Sequence, residues 1–353
     1  MSRSDKVWSE RGTTPDAIEA ALRELLIEAH AQREDFVPAR VLNMIAFVDL
    51  EWTGEIANRL RGVGRYHASR MVVLAYEPKR TRLDARVMIA ADEDPAPGDV
   101  ALLRETVVVE LGDRHLDDLL TIADPLVVTD LPTLLWSPHG HHEILAQLMP
   151  LAQAVLIDSV EEPDVGEALD WACKLSEQAY VVDLAWLRST PWRERMAAMF
   201  DPPSLRRELG LLSSVTVRHH PASTVAAGLY LGWLSSRLGW RAAPLVYHGG
   251  ALTGTAHAAR QDVALRLQIA PELLVPGLEG LTIETAAGRR LRLDRGPGGL
   301  HARFAGPREA DREWTIPGAS RGETGVLGEG IRQALLRDPT YVPALQAART
   351  MLT

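Results

Sequence analysis

The sequence predicts an α/β chain: an N-terminal mixed-sheet α/β domain followed by a C-terminal α+β domain with an antiparallel meander. Three observations point there. In the first half, nearly continuous apolar runs alternate with helically spaced ones, the signature of strands covered on both faces of a sheet. In the last third, apolar and polar residues alternate along short runs, as a sheet with one wet face requires. The chain has 353 residues and 46% hydrophobic content, enough for two cores, since single cores stop growing below this length.

Taken in order, residues 1–13 read as a flexible tail, rich in charge and serine. Thr14-Pro15-Asp16 reads as a helix start: a capping hydroxyl, proline at the first helical position and an acid near the positive end. Ile18, Ala21, Leu22, Leu25 and Ala29 follow at helical spacing. Val41–Val48 is a buried strand, Trp52–Leu60 a helix and Met71–Tyr76 a second buried strand, which together suggest a βαβ unit. Residues 83–91 and 100–111 read as further strands. A helix around Leu116–Ile122, a short strand at Pro132–Trp136, a helix at His142–Leu151 and a strand at Ala154–Asp158 complete an α/β domain at 14–160.

A helical connection is expected over 161–205, interrupted near Thr190-Pro191, because proline disfavours the helical conformation of the residue before it. The α+β domain then occupies 206–353. It opens with a short strand at Val215–Val217 and a helix from Ser223 to Leu238, ending before Gly239. Val263, Leu265, Leu267 and Ile269 alternate with polar neighbours, as do Leu281/Ile283, Leu291/Leu293 and Leu300/Ala302/Phe304. Turn residues at Ala287-Gly288 and 296–299 separate these runs. Helices around Gly328–Leu336 and Pro343–Leu352 close the chain. No internal repeat is visible.

The net charge of −9 and pI near 5.7 argue against a nucleic-acid partner, which needs a basic surface. Basic residues cluster locally at Arg59–Arg70 and Lys79–Arg86, where a solvated face is the simpler reading. No apolar run is long enough to span a membrane, and no signal peptide is recognisable, so a cytoplasmic protein is expected. The single cysteine, Cys173, forms no internal disulfide. On a helical stripe it reads as a buried, inert thiol.

The sequence carries no convincing constellation for catalysis or for a cofactor. His139-Gly140-His141-His142 is the nearest approach to a metal site, but its spacing does not place the three imidazoles on one helix face. His219-His220-Pro221 has no nucleophile elbow to serve, and Ser223-Thr224 reads as a helix cap. Gly62-Val63-Gly64 runs from helix to strand, the reverse of a dinucleotide-binding turn. Gly249-Gly250 with Gly254 lacks the third glycine spacing. Asp92-Glu93-Asp94 and Glu161-Glu162 read as solvated turns. Nine tryptophans against four phenylalanines is an unusual ratio. Trp136, Trp171, Trp186 and Trp192 lie near Arg188, Arg193 and Arg195, and Trp and Arg are the common anchors of protein interfaces.

An ordered set of segments resembles one known family. Val41–Val48 begins it. Arg65-Tyr-His-Ala-Ser-Arg70 leads into Met71–Leu74, and Arg82-Leu-Asp-Ala-Arg86 and Glu105-Thr-Val-Val-Val109 follow. Asp130–Pro138 supplies a strand with a tryptophan, and Asp183-Leu-Ala-Trp186 with Pro191-Trp-Arg193 a central helical signature. Over residues 40–205 this resembles the glucose-6-phosphate dehydrogenase assembly (OpcA) family, and the likeness is thinner beyond. The resemblance implies a non-catalytic partner of glucose-6-phosphate dehydrogenase that favours its active oligomer, as an assembly factor or as an allosteric activator, at the entry of the NADPH-supplying oxidative pentose phosphate pathway. It nominates Arg65, His67, Arg70, Trp136, Trp186 and Arg193 as partner contacts. No cofactor is expected. Thioredoxin control, linked to cysteines in some members, is not expected with Cys173 alone. The alternatives are an enzyme or sensor that binds a sugar phosphate or nucleotide at the α/β domain.

Overall fold

The computed structural model describes residues 6–32, 40–63, 69–91, 103–160, 162–307, 309–317 and 322–353. These form an α/β protein with two large mixed sheets, and the chain divides into two compact units. The first unit is Met1–Ile157 with Gln178–Val182 and Leu327–Arg337. The second is Asp158–Glu177, Asp183–Val326 and Asp338–Thr353.

The first sheet contains β1 (Lys6–Arg11), β2 (Leu42–Asp49), β3 (Ser69–Tyr76), β4 (Asp84–Ala91), β5 (Leu103–Leu111), β6 (Thr133–Trp136), β7 (Ala154–Ile157) and β8 (Tyr180–Asp183). Their order is β1-β4-β5-β3-β2-β6-β7-β8. Neighbours from β5 across to β7 run parallel, while β4 is antiparallel to both β1 and β5. The helices are α1 (Pro15–Gln32), α2 (Thr53–Val63), α3 (Leu119–Ala123) and α4 (His142–Leu148). The central strands are buried along their length, which is why they read as unbroken apolar runs. Helix α1 starts as its sequence suggests: Thr14 Oγ1 accepts from the Ala17 amide at 3.3 Å, and Ile18, Ala21 and Leu22 are buried. Asn43, fully buried in β2, is satisfied by Val128 N and O, both at 2.9 Å, and so pins the segment before β6.

Two expectations are corrected here. Residues 1–13 are not all tail, because Lys6–Arg11 pairs antiparallel with β4. The strand is polar apart from Val7 and Trp8, and a neighbouring edge rather than intrinsic propensity orders it. The expected helical connection over 161–205 contains β8. Its Tyr-Val-Val run is too short for periodicity to distinguish it from helix. The start of the expected strand at 100–111 and Asp92–Asp94 lie outside the described residues, as do Gly64 and Glu161.

The second unit holds α5 (Val165–Ser176), α6 (Leu184–Arg188), α7 (Thr190–Met199), α8 (Pro203–Arg206) and α9 (Thr224–Leu238), and the C-terminal helices α10 (Gly322–Leu336) and α11 (Tyr341–Leu352) follow its sheet; most of α10 belongs to the first unit. Its strands are β9 (Leu212–His219), β10 (Arg241–Ala242), β11 (Val246–His248), β12 (Ala251–His257), β13 (Asp262–Ile269), β14 (Leu278–Thr285), β15 (Arg290–Gly296), β16 (Gly299–Gly306) and β17 (Glu309–Pro317). The sheet runs β10-β12-β13-β9-β14-β15-β16-β17, with β11 also on β12. From β14 to β17 it is the expected meander, whereas β13 and β9 pair in parallel. Register places Leu252, Leu267, Val217, Leu281, Leu293 and Ala302 in one row, and these pack into the core. The alternate row, Arg266, Thr216, Thr282, Arg292 and Arg303, faces the other way.

Helix α9 is buried almost all round, as its uniformly apolar sequence requires. It packs on α11 at very close range: a Cβ at Gly232 would lie 2.1 Å from the Ala344 carbonyl oxygen. Gly239, at φ +68°, ends the helix in the left-handed conformation that glycine adopts without penalty.

Candidate functional site

In the first sheet, the chain leaves β2 towards β3 on one side, while β6 lies on the other. Open α/β sheets bind ligands in the crevice outside such a switch point. Four segments border it: Asp49–Trp52 after β2, Tyr76 at the end of β3, Asp113 after β5 and Ser137–His141 after β6. His141 Nε2 lies 3.1 Å from Asp49 Oδ1, and its ring meets Phe47 and Tyr76 edge-on, with centroids 5.1 and 5.9 Å away. The turn before α4 sets this orientation, since His141 sits in the left-handed region at φ +61°, a sparsely populated conformation for a residue with a side chain. Trp52, 42% exposed, lies 5.3 Å from the His139 ring. The Tyr76 hydroxyl donates to Asp113. That hydrogen bond, then burial and the charges of Asp113 and Asp49, push its pKa up to about 12.

The residues present do not fit a dinucleotide. A pyrophosphate site needs glycines for close backbone approach and free amides at the following helix. Here the β2–α2 turn reads Asp49-Leu-Glu-Trp-Thr-Gly54, and Asp49, Glu51 and Glu55 put carboxylates where the phosphates would lie. The histidine cluster does not converge either. His139 faces Trp52 and His141 faces Asp49, and among the described residues no group of three or more potential ligands is placed to hold a metal ion.

Of the six residues nominated as partner contacts, Arg65 and His67 lie outside the described residues. The other four are interior. Arg70 donates from Nε to Glu105 Oε2 at 2.7 Å and from Nη1 to the Leu126 carbonyl at 3.3 Å, while Arg40 donates to the other oxygen of Glu105. Trp136 is 1% exposed, with the Arg59 guanidinium 5.1 Å from its ring.

Trp186 and Arg193 belong to a polar cluster within the second unit. The Arg193 guanidinium stacks 3.4 Å from the Trp186 ring, and Trp186 Nε1 donates to Asp338 at 2.9 Å. Burial lowers the Arg193 pKa to about 10, against the opposing charge of Asp338. Beside them lies Asp183, which sequence reasoning passed over as one letter of a motif. It accepts from Ser159 Oγ at 2.7 Å, Ala185 N at 2.9 Å, and Ser159 N and Tyr341 Oη at 3.2 Å. Burial and the neighbouring charge of Asp158 outweigh these donors and raise its pKa to about 6. Asp158 is itself held by both Arg188 nitrogens, at 2.8 and 2.7 Å. These buried side chains order the fold, and a direct contact with a partner would need surface that they do not present. A capping aspartate at the start of a helix was the one available sequence signal.

Cys173 is buried in α5, and burial pushes its thiol pKa up. His219 is buried too, with its pKa lowered by desolvation, and its Nδ1 lies 2.8 Å from the His220 carbonyl oxygen. No described helix is long and apolar enough to cross a membrane.

Two family models match the chain. Residues 61–172 match the N-terminal domain, and residues 179–345 the C-terminal domain, of the glucose-6-phosphate dehydrogenase subunit. A curated relative from Synechococcus elongatus, named as an OxPP cycle protein OpcA, is 27% identical over 151 residues, covering 41% of this chain and 34% of that protein. A namesake from Synechocystis is 29% identical over 130 residues, covering 35% and 27%. The matched part thus spans about a third or less of these relatives. Among solved structures, an oxidoreductase from Parabacteroides merdae aligns with a TM-score of 0.52 at 8% identity, covering 88% of this chain and 96% of that one; it shares the fold alone. A scyllo-inositol dehydrogenase from Lactobacillus casei aligns at 0.45 and 12% identity, over 89% and 96%.

Proposed function

Because this chain belongs to the glucose-6-phosphate dehydrogenase subunit (OpcA) family, we propose that it is a non-catalytic assembly and activating partner of that dehydrogenase, favouring its active oligomer. One observation carries this reading: two domain models of the same family match in order, one in each half of the chain. The acidic β2–α2 turn supports it, since it gives a fold shared with oxidoreductases a poor seat for a dinucleotide. A protein that binds only the competent oligomer draws the population towards it, by an amount set by its differential affinity. The activation would feed NADPH production in the cytoplasm. Steady-state assays of the dehydrogenase from the same organism, with and without this chain, test the proposal. A saturable rise in activity is expected, and unchanged activity over the full titration would contradict it.

A further inference from the structure

The basic run Lys79–Arg86 is absorbed neither by the crevice nor by the buried clusters. It lies at the edge of the first sheet, where a depression of about 580 Å³ is lined by residues of β1, β4, β5 and the segment before β4. Register explains the convergence. Ser9 pairs with Arg86 and Arg11 with Asp84, so Arg11 and Arg86 project from one face of two adjacent strands. Arg82 enters the same depression from the preceding turn.

The carboxylates in this depression are hydrogen-bonded but only partly neutralised, because a single arginine serves two of them. Arg80 takes Asp84 at 2.5 Å and Glu110 at 2.7 Å, and Asp84 also accepts from the Gly12 amide at 2.9 Å. Glu10 accepts from the Thr13 hydroxyl at 2.9 Å. Arg11, Arg82 and Arg86 are exposed, and among the described residues none has a carboxylate partner. The lining therefore sets four arginines against three carboxylates, a surplus of one positive charge on a chain whose net charge is −9, with Arg11, Arg82 and Arg86 outside any ion pair among the described residues. A second depression, of about 440 Å³ on the open face of the other sheet, gives the contrast. Its Arg292 and Arg303 are paired with Asp294 and Glu313.

We propose that the depression lined by Arg11, Arg82 and Arg86 is a binding site for a small phosphate monoester. The planar guanidinium fork matches phosphate oxygens bidentately, and Arg11, Arg82 and Arg86, which hold no carboxylate among the described residues, present their donors to one concavity. The site stands independently of the dehydrogenase partnership, because the isolated chain carries all of it.

Isothermal titration of the isolated chain with inorganic phosphate, glucose 6-phosphate, sulfate and glucose tests it. Saturable binding of glucose 6-phosphate is expected at about 1 mM or tighter, weaker binding of sulfate, and none of glucose. The double variant Arg82→Ala/Arg86→Ala should lose at least about tenfold in affinity, roughly 1.4 kcal/mol, with an unchanged circular dichroism spectrum and Tm. Should that variant unfold, the single exposed change Arg86→Gln provides the same comparison. Arg303→Ala, in the neutralised depression, should bind as the wild type does. No saturable binding by the wild type, equal binding of sulfate, or equal binding by a folded Arg82/Arg86 variant would overturn the site.

Discussion

In the first sheet, Glu105 is 1% exposed and lies between Arg40 and Arg70, whereas on the open face of the second sheet Arg303 and Glu313 pair with more than half of each side chain in water. The chemistry of the two contacts is the same and their consequences differ. Desolvating Glu105 is tolerable only while both guanidiniums are present, so the trio ties the segment at Arg40 to β3 and β5. The Arg303–Glu313 pair forgoes little hydration and gains little attraction. An arginine inside this molecule specifies structure. An arginine on the open sheet face leaves the fold nearly indifferent to its partner.

Substitutions can break that contrast. The largest effect is expected for Glu105→Ala, which strands two cations, one of them buried, and should cost about 3–5 kcal/mol in urea unfolding. A loss below about 1 kcal/mol would place this trio with the surface pairs.

Next comes the buried carboxylate of the second unit. The pKa of Asp183 is raised to about 6 in the folded chain from an ordinary value of 3.8. The folded state therefore holds this proton more tightly than the unfolded chain does. The stability it contributes is fully present below pH 4 and is lost as pH rises through 6, in total about 3 kcal/mol. The difference in unfolding free energy between wild type and Asp183→Asn should accordingly shrink in the wild type's disfavour across that window. A difference independent of pH would show that Asp183 ionises as freely inside as in water.

The smallest effect is expected at the surface. Arg303→Ala should change stability by about 0.2–1 kcal/mol, and less at high salt. A larger, salt-insensitive loss would mean that the open face of the second sheet is not governed by solvent.

The sequence makes the sheets legible in proportion to how strongly one face is buried. Val41–Val48 and Met71–Tyr76 fall within one or two residues of β2 and β3, because strands covered on both sides have few polar positions to confuse their limits. The run Val263–Ile269 lies inside β13, and its alternation follows the wet face opposite. Strand β9 is longer than the short strand expected at Val215–Val217, since its outer residues are held by two neighbours rather than by their own pattern. The helix at Ser223–Leu238 matches α9, whose end at Gly239 is marked by a local residue preference. Strand β1 escaped detection for the opposite reason: its order comes from β4, which lies more than 70 residues away.

The candidate site was less readable. Trp186 and Arg193 look alike in sequence whether they anchor an interface or fill a core. What decides is contact with Asp338, 152 positions from Trp186, and stacking that no local spacing encodes. Arg70 is similar, since Glu105, 35 positions away, converts it from a surface cation into a buried one. The basic run Lys79–Arg86 reads as a solvated face, and only the register of β1 on β4 brings Arg11 into its depression.

The partnership itself is tested most directly by mass. Mass photometry of the dehydrogenase alone, this chain alone and the two mixed would count subunits in each species. A new species containing both chains is expected, with the dehydrogenase's distribution of oligomers shifted as the mixture is titrated. Unchanged masses of both proteins at concentrations saturating for the activity assay would contradict the account.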